Sequence, residues 1–345
     1  MISFVIPVYN CRAHLESCLH SLLELQGDAY EILLIDDGST DGSSELCDRL
    51  SRQHDCVRCI HQENRGVSAA RNRGIEEARG DWLMFVDADD GIDRDGLAEL
   101  LKETEQGTDL DAVLFGMSFD YYCHGKNYRS EYLAVSETAR LEKTRWAEKI
   151  PDLYSHNYLS PVWNKLLRKD ILDQNGLRFC TEMFLLEDLD FSLRFLACCE
   201  TILCSDKMIY HYRQAEDEGN AGRRLLRIPE ISVLVDQLGT SFAALAIRTG
   251  RDLAAFQSIV NGIFLMLAGQ KIAVSDRNTI GDICRDYSDW VNTNSIPQEE
   301  LASDMAQDLL RHRIGKLIAR RTYTWIRHKV ANRVKYWRFL ARGKK

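Results

Sequence analysis

The first 120 residues alternate short apolar runs with helix-like segments, and a chain that repeats strand and helix in this way builds a parallel sheet. Strands are expected at Ser3–Tyr9, Glu31–Asp36, Val57–His61 and Trp82–Asp87, with helices at Ala13–Leu25, Ser43–His54 and Val67–Arg79 between them and a further strand at Ala112–Phe119. The first, second and fourth strands run into Pro7-Val8-Tyr9-Asn10, Asp36-Asp37-Gly38-Ser39 and Asp87-Ala88-Asp89. Open α/β sheets bind ligands outside the carboxyl ends of their strands, so these three polar tips predict one ligand-binding edge. The acids of DWLMFVDADD (81–90) suit a hard divalent cation shared with a nucleotide diphosphate. The alternative is an Asp-rich turn that satisfies its own backbone.

Composition narrows the classes. A chain of 345 residues, 45% hydrophobic and 28% charged, forms one large or two ordinary globular domains. Met1 leads directly into strand-like SFVIPVY and no apolar stretch reaches eighteen residues, which predicts neither a signal peptide nor a membrane span and a location on the cytoplasmic side. The eleven cysteines are scattered, with one Cys-x-x-Cys (Cys56, Cys59), so reduced thiols are expected rather than a zinc or disulfide framework. The net charge of −8 divides unevenly, because residues 311–345 hold thirteen Lys and Arg and no Asp or Glu, leaving −21 for the first 310. A body so acidic argues against nucleic acid as a partner.

Beyond Tyr121, helices are expected near Glu137–Lys149 and Glu187–Leu196, with strands at Thr201–Cys204 and Met208–Tyr212. After Pro229 the pattern is helical through Ala273, then helical with breaks to residue 310. There is no G-x-G-x-x-G after the first strand and no G-x-x-x-x-G-K-[ST], so a dehydrogenase or P-loop NTPase would lack its phosphate cradle.

Four motifs in order, SFVIPVYN, IDDGSTDGS, ENRGVSAARNRGI and FVDADD, resemble those of the inverting family 2 glycosyltransferases of GT-A fold, with a likeness that spans roughly residues 1–213. The resemblance implies an α/β fold with a mostly parallel central sheet, flanking helices and a helical C-terminal region. With the helical pattern after Pro229 and the basic charge of the tail, the expected division is a catalytic domain 1–220 (a nucleotide-sugar half 1–110 and an acceptor half 111–220), helices 221–310 and a basic amphipathic tail helix 311–345. The resemblance places Pro7, Tyr9 and Asp37 against base and ribose, and makes Asp87 and Asp89 the DxD pair on Mn²⁺ or Mg²⁺. Tyr9 offers a flat face and Asp37 an acceptor for the ring N–H of a pyrimidine, which favours uridine or thymidine and makes a UDP-sugar the expected donor. Their alternative roles are strand-end packing and turn capping.

Among Arg65, Arg71 and Arg73, we select Arg71 for the diphosphate, near a helix N-terminus. Glu187-Asp188 in FLLEDLDFSLRF resembles the family's ED motif, with Asp188 the candidate base; the alternative is a helix-start charge, a role that Asp190 and Glu187 could fill equally. In SPVWNKL, Trp163 is a candidate to stack on a sugar and Lys165 to meet donor phosphate; a buried Trp beside a surface Lys is the alternative. His211 is a candidate third metal ligand where the common pattern has tyrosine, and QAEDEGNAG after Arg213 also departs from the family. In the tail, Ile326, Val330, Val334, Trp337 and Ala341 form a helical stripe opposite Arg327, Lys335, Arg338 and Arg342. Such a helix suits an anionic membrane surface, or docks on the acidic body or a partner. The expected activity is transfer of one sugar to a lipid-linked or saccharide acceptor in surface-polysaccharide assembly. A polyprenyl-phosphate glycosyltransferase and a non-catalytic nucleotide-sugar binding protein are the alternatives.

Overall fold

The computed structural model describes residues 1–23, 25, 30–105, 109–183 and 185–215, and further along 228–251, 254–272, 277–293, 301, 303–311, 313 and 316–317. The chain divides into two compact units, Met1–Asp217 and Glu218–Lys345. The first opens with β1 (Ile2–Val8), α1 (Leu15–Leu23), β2 (Tyr30–Asp36), α2 (Ser43–Gln53), β3 (Val57–His61), α3 (Val67–Glu77) and β4 (Trp82–Phe85). It continues with β5 (Gly91–Ile92), α4 (Arg94–Glu105), β6 (Ala112–Cys123), β7 (Lys126–Leu133), β8 (Ala139–Glu142), α5 (Lys143–Glu148) and α6 (Ile150–Ser155). β9 (Lys165–Arg168), α7 (Lys169–Gln174), α8 (Glu187–Leu196) and β10 (Thr201–Ala215) complete it.

One sheet runs β3-β2-β1-β4-β9-β6-β10-β5, with β7 on β6 and β8 on β10. The joints among β1–β4 and between β6 and β10 are parallel, whereas β9 joins β4 and β6 antiparallel. The sheet is therefore mixed, and the expected parallel character belongs to its N-terminal half. Phe4–Ile6, Ile32–Ile35 and Leu83–Val86 are wholly buried, as strands covered on both faces require.

The chain winds outward from β1 to β3, then returns to place β4 on the other side of β1. That reversal is the switch point at which open α/β sheets form a ligand crevice. Register between β1 and β4 ends at Val5↔Phe85, so Pro7, Val8 and Tyr9 continue past β4 at its edge. α3 lies close on β1: a Cβ on Gly74 would come within 2.1 Å of Val5 Cγ1. Gly74→Ala is therefore expected to destabilise the protein by about 1–3 kcal/mol through overpacking, read as a lower denaturant midpoint.

β5, β7 and β9 were not expected from the sequence, and two expected elements take another form. Residues 139–142, within the expected helix Glu137–Lys149, are extended because they pair with Thr201–Cys204 of β10. The two strands expected at 201–212 are one long strand with irregular register between Cys204 and Tyr210.

The second unit contains α9 (Ile228–Thr249), α10 (Ala254–Ile272), α11 (Arg277–Thr293) and α12 (Asp304–Leu310). Phe264 packs against Tyr287 and Trp290, whose polar ends are spent on Asn261 and Asp236. Among the described residues no helix is long and apolar enough to cross a membrane. The amphipathic tail stripe lies outside the described residues.

Candidate active site

The loops after β1 and β2 are stitched together at the crevice. Asn10, in the left-handed region at φ 53°, accepts from Thr40 N at 2.8 Å, and its own N–H donates to Ser39 Oγ. Gly38 turns the chain at φ 73°, where a Cβ would press on Asn64 N at 3.0 Å. Tyr9 stands 50% exposed at the end of β1, with its ring available to a planar ligand.

Asp37 is buried beneath this surface. It accepts from Gln62 Nε2 (2.7 Å), Arg65 N (2.9 Å) and Gly66 N (2.8 Å), which ties the end of β2 to the start of α3. A carboxylate has about four acceptor sites, so this leaves room for about one more donor. Arg65 reaches Asp37 through its backbone and is exposed; Arg73 pairs with Glu77 on the helix surface.

Across the crevice, β4 is followed by Val86 and then by Asp87, Ala88, Asp89 and Asp90. Asp89 is exposed and Asp87 half-buried, while Asp90 is buried. Crowding by protein, and then the charge of Asp87, raises the pKa of Asp89; Asp90 is raised further by the same causes. Tyr210 of β10 braces this turn: its hydroxyl accepts from Asp87 N at 3.0 Å and donates to Asp90 Oδ2 at 2.7 Å. Arg213 N donates to Asp90 Oδ1. A turn that crowds three carboxylates in this way fits a divalent cation held by Asp87 and Asp89, because a positive ion relieves the repulsion that raises their neighbour.

Arg71 joins the two halves. Its guanidinium, 4% exposed, donates to Asp188 Oδ1 at 2.6 Å and to Asp87 Oδ1 at 3.1 Å, with Glu187 Oε1 at 3.9 Å. It lies over the ring of Phe179, which stacks on Phe191 at 3.9 Å. The neighbouring Asn72 clamps the backbone of Phe179 by two hydrogen bonds, 2.9 Å from Nδ2 and 2.7 Å to Oδ1. α3 thus holds Phe179 and the start of α8 through two consecutive residues. α8 begins immediately after Leu186, a non-glycine residue at φ 63°, and backbone held in this region commonly marks a functional site.

The three acids at the start of α8 separate by environment. Asp190 is buried against Arg194, which donates to it at 2.6 and 2.9 Å. Glu187 sits at the edge of the Arg71 cluster. Asp188 is 24% exposed, and burial followed by the charges of Glu187 and Asp87 raises its pKa to about 7, against the pull of Arg71 and Lys165.

Two expected contacts are not what the structure shows. Lys165 is 1% exposed and spends its three N–H bonds on Leu159 O, Pro161 O and Asn164 Oδ1, so it pins the segment before β9 and has no donor left for phosphate. Burial lowers its pKa to about 7. Trp163 is 6% exposed and stacks on Tyr210 at 4.1 Å, so it backs the residue that braces the acidic turn and presents little of its face to a sugar. His211 holds Ser118 Oγ at 2.8 Å through Nδ1; its ligand atoms and those of Asp87 and Asp89 do not all gather within 4.8 Å among the described residues. Tyr210, Asn72 and Phe179 were not singled out from sequence. Asn72 lies within the ENRGVSAARNRGI motif and Tyr210 within the expected strand Met208–Tyr212, but Phe179 carries no signal outside the folded chain.

The profile described as "Glycosyl transferase family 2" matches residues 3–176. Over 215 residues the chain is 31% identical to an uncharacterized glycosyltransferase EpsJ of Bacillus subtilis, covering 62% of this chain and 61% of that one. It is 32% identical over 227 residues to glycosyltransferase GlyG of Streptococcus pneumoniae, covering 62% of this chain and 71% of GlyG. Among solved structures, S. aureus TarS 1–349 in complex with UDP-GlcNAc superposes with TM-score 0.68 at 18% identity, over 93% of this chain and 88% of TarS 1–349. That likeness is one of fold. The match spans about three fifths of the EpsJ chain.

Proposed function

The chain belongs to glycosyl transferase family 2, and on that premise we propose that it is an inverting glycosyltransferase moving one sugar from a UDP-sugar to a lipid-linked or saccharide acceptor in surface-polysaccharide assembly. One observation carries the reading: Arg71 bridges Asp87, the candidate metal ligand, and Asp188, the candidate base, so one cation holds the two together.

Asp188 takes the proton of the acceptor hydroxyl as its oxygen bonds to the anomeric carbon and the bond to the diphosphate oxygen breaks. A single displacement inverts the configuration. Tyr9 and Asp37 receive the base, and the choice of a UDP-linked donor is supported by the UDP and UDP-GlcNAc named for the TarS structures. Asp87 and Asp89 would hold Mn²⁺ or Mg²⁺; His211, whose Nδ1 is held by Ser118, would have to move toward them to offer Nε2 as a third ligand. When bound, that cation neutralises charge on the leaving diphosphate. A basic tail on an anionic membrane would bring a lipid-linked acceptor near.

Thermal melts with UDP-, GDP-, dTDP- and CMP-sugars, with and without Mn²⁺, test this reading. A UDP-sugar is expected to raise Tm in a metal-dependent way, since a ligand of the folded state stabilises it. Asp89→Ala is expected to abolish the metal dependence; full metal-dependent turnover in that variant, or no shift with any donor, contradicts the assignment.

A further inference from the structure

A second cluster of metal-ligating side chains lies on β3, at the far edge of the sheet from β9. Cys59 and His61 are two residues apart on the strand and so share one of its faces. α2 sets Asp48 against them. His61 Nε2 lies 3.0 Å from Asp48 Oδ1 and 3.3 Å from Cys59 Sγ, and the three ligand atoms all fall within 4.8 Å of one another. The other ring nitrogen, Nδ1, is 2.8 Å from Oδ2 of buried Asp36.

We propose that Asp48, Cys59 and His61 form a zinc site, distinct from the carboxylate pair at the donor edge. Zinc bonds of about 2.0 Å to nitrogen and oxygen and about 2.3 Å to sulfur, at tetrahedral angles, separate N from S by about 3.6 Å and N from O by about 3.3 Å. Both observed separations are within a few tenths of an ångström of these, so an ion enters with small side-chain movements. The ligand set of thiolate, imidazole and carboxylate selects a borderline-soft cation, whereas Asp87 and Asp89 offer oxygen alone. Asp36 fixes the ring, as a carboxylate behind a metal-bound histidine does. Solvent completes the shell at the exposed side of His61.

The site reaches the donor loop through Asp36, which also accepts from Ser39 N at 3.1 Å and Ser44 Oγ at 2.5 Å. Zinc would therefore brace the turn that follows β2. The Cys56/Cys59 spacing gave no hint of this, because the ligands meet across α2 and β3 and Cys56 is not among them.

The test is cobalt substitution in the chelator-stripped full chain, with zinc affinity read by competition against a chromophoric chelator. Co²⁺ is expected to give a thiolate-to-metal charge-transfer band. The band is expected to vanish in Cys59→Ser and to persist in Asp89→Ala, and Asp48→Asn is expected to weaken zinc about tenfold or more. Asp48 is half-exposed, and an unchanged circular dichroism spectrum certifies that its variant folds. Absence of a thiolate band in the wild type, or its survival in Cys59→Ser, overturns the proposal.

Discussion

Asp188→Asn is expected to lower kcat by about 10³-fold, the scale of a positioned general base, and to leave the donor-induced thermal shift intact. The amide keeps the shape and an acceptor oxygen for the Arg71 contact at 2.6 Å, so geometry is retained while the proton acceptor is lost. Asp87 and Glu187 still face the guanidinium, which limits the structural cost. The wild type carries a matching pH signature. Asp188 is raised to about 7, so below that value it is protonated and cannot accept a proton. The rate is expected to fall about tenfold per pH unit on the acid side and to level off above pH 7. Asp190→Asn is the control: that residue is committed to Arg194, and its loss should leave the acid limb in place. A binding protein of the same fold would show the donor shift and no transfer in the wild type, which separates the two classes.

Arg71→Ala should be the most damaging single change in the first unit. Removing one partner of a buried charge cluster costs about 3–5 kcal/mol, because Asp87, Glu187 and Asp188 would be left to repel one another. For a unit of this size that is a fall in Tm of roughly 10 °C. Arg71→Lys is expected to recover part of the stability and little of the activity. A lysine is a point charge and cannot span two carboxylates with a planar fork. A melting curve and a turnover assay on the two variants read both effects. Wild-type stability in Arg71→Ala would show that the cluster is not held by this cation.

The parallel half of the fold was legible in sequence because each strand there is an apolar run ending in a polar tip, and local pattern decides. β9 was not. KLLR at 165–168 carries no turn or alternation signal, and its strand state comes from antiparallel partners on both sides. Residues 139–142 failed in the opposite direction: a helix-like stretch was drawn into extended form by β10. At the site, Asp87, Asp188 and Arg71 were legible as separate residues in separate motifs. Their meeting was not, because it spans 117 residues along the chain and no spacing encodes it. Trp163 and Lys165 show the converse limit. An aromatic and a cation beside a motif invite a ligand, but only the fold shows that their polar and π surfaces are already used.

The seam between the two halves of the sheet is β9 alone, four residues laid antiparallel between β4 and β6. This bears on how the protein is made. As the chain leaves the ribosome, β1–β4 can assemble early, but the free side of β4 has no partner until residues 165–168 emerge. An open apolar strand edge in a half-finished domain is a template for mispairing with other chains. Synthesis therefore passes through an interval in which nascent protein is prone to aggregate, and slow translation between residues 86 and 165 would lengthen it.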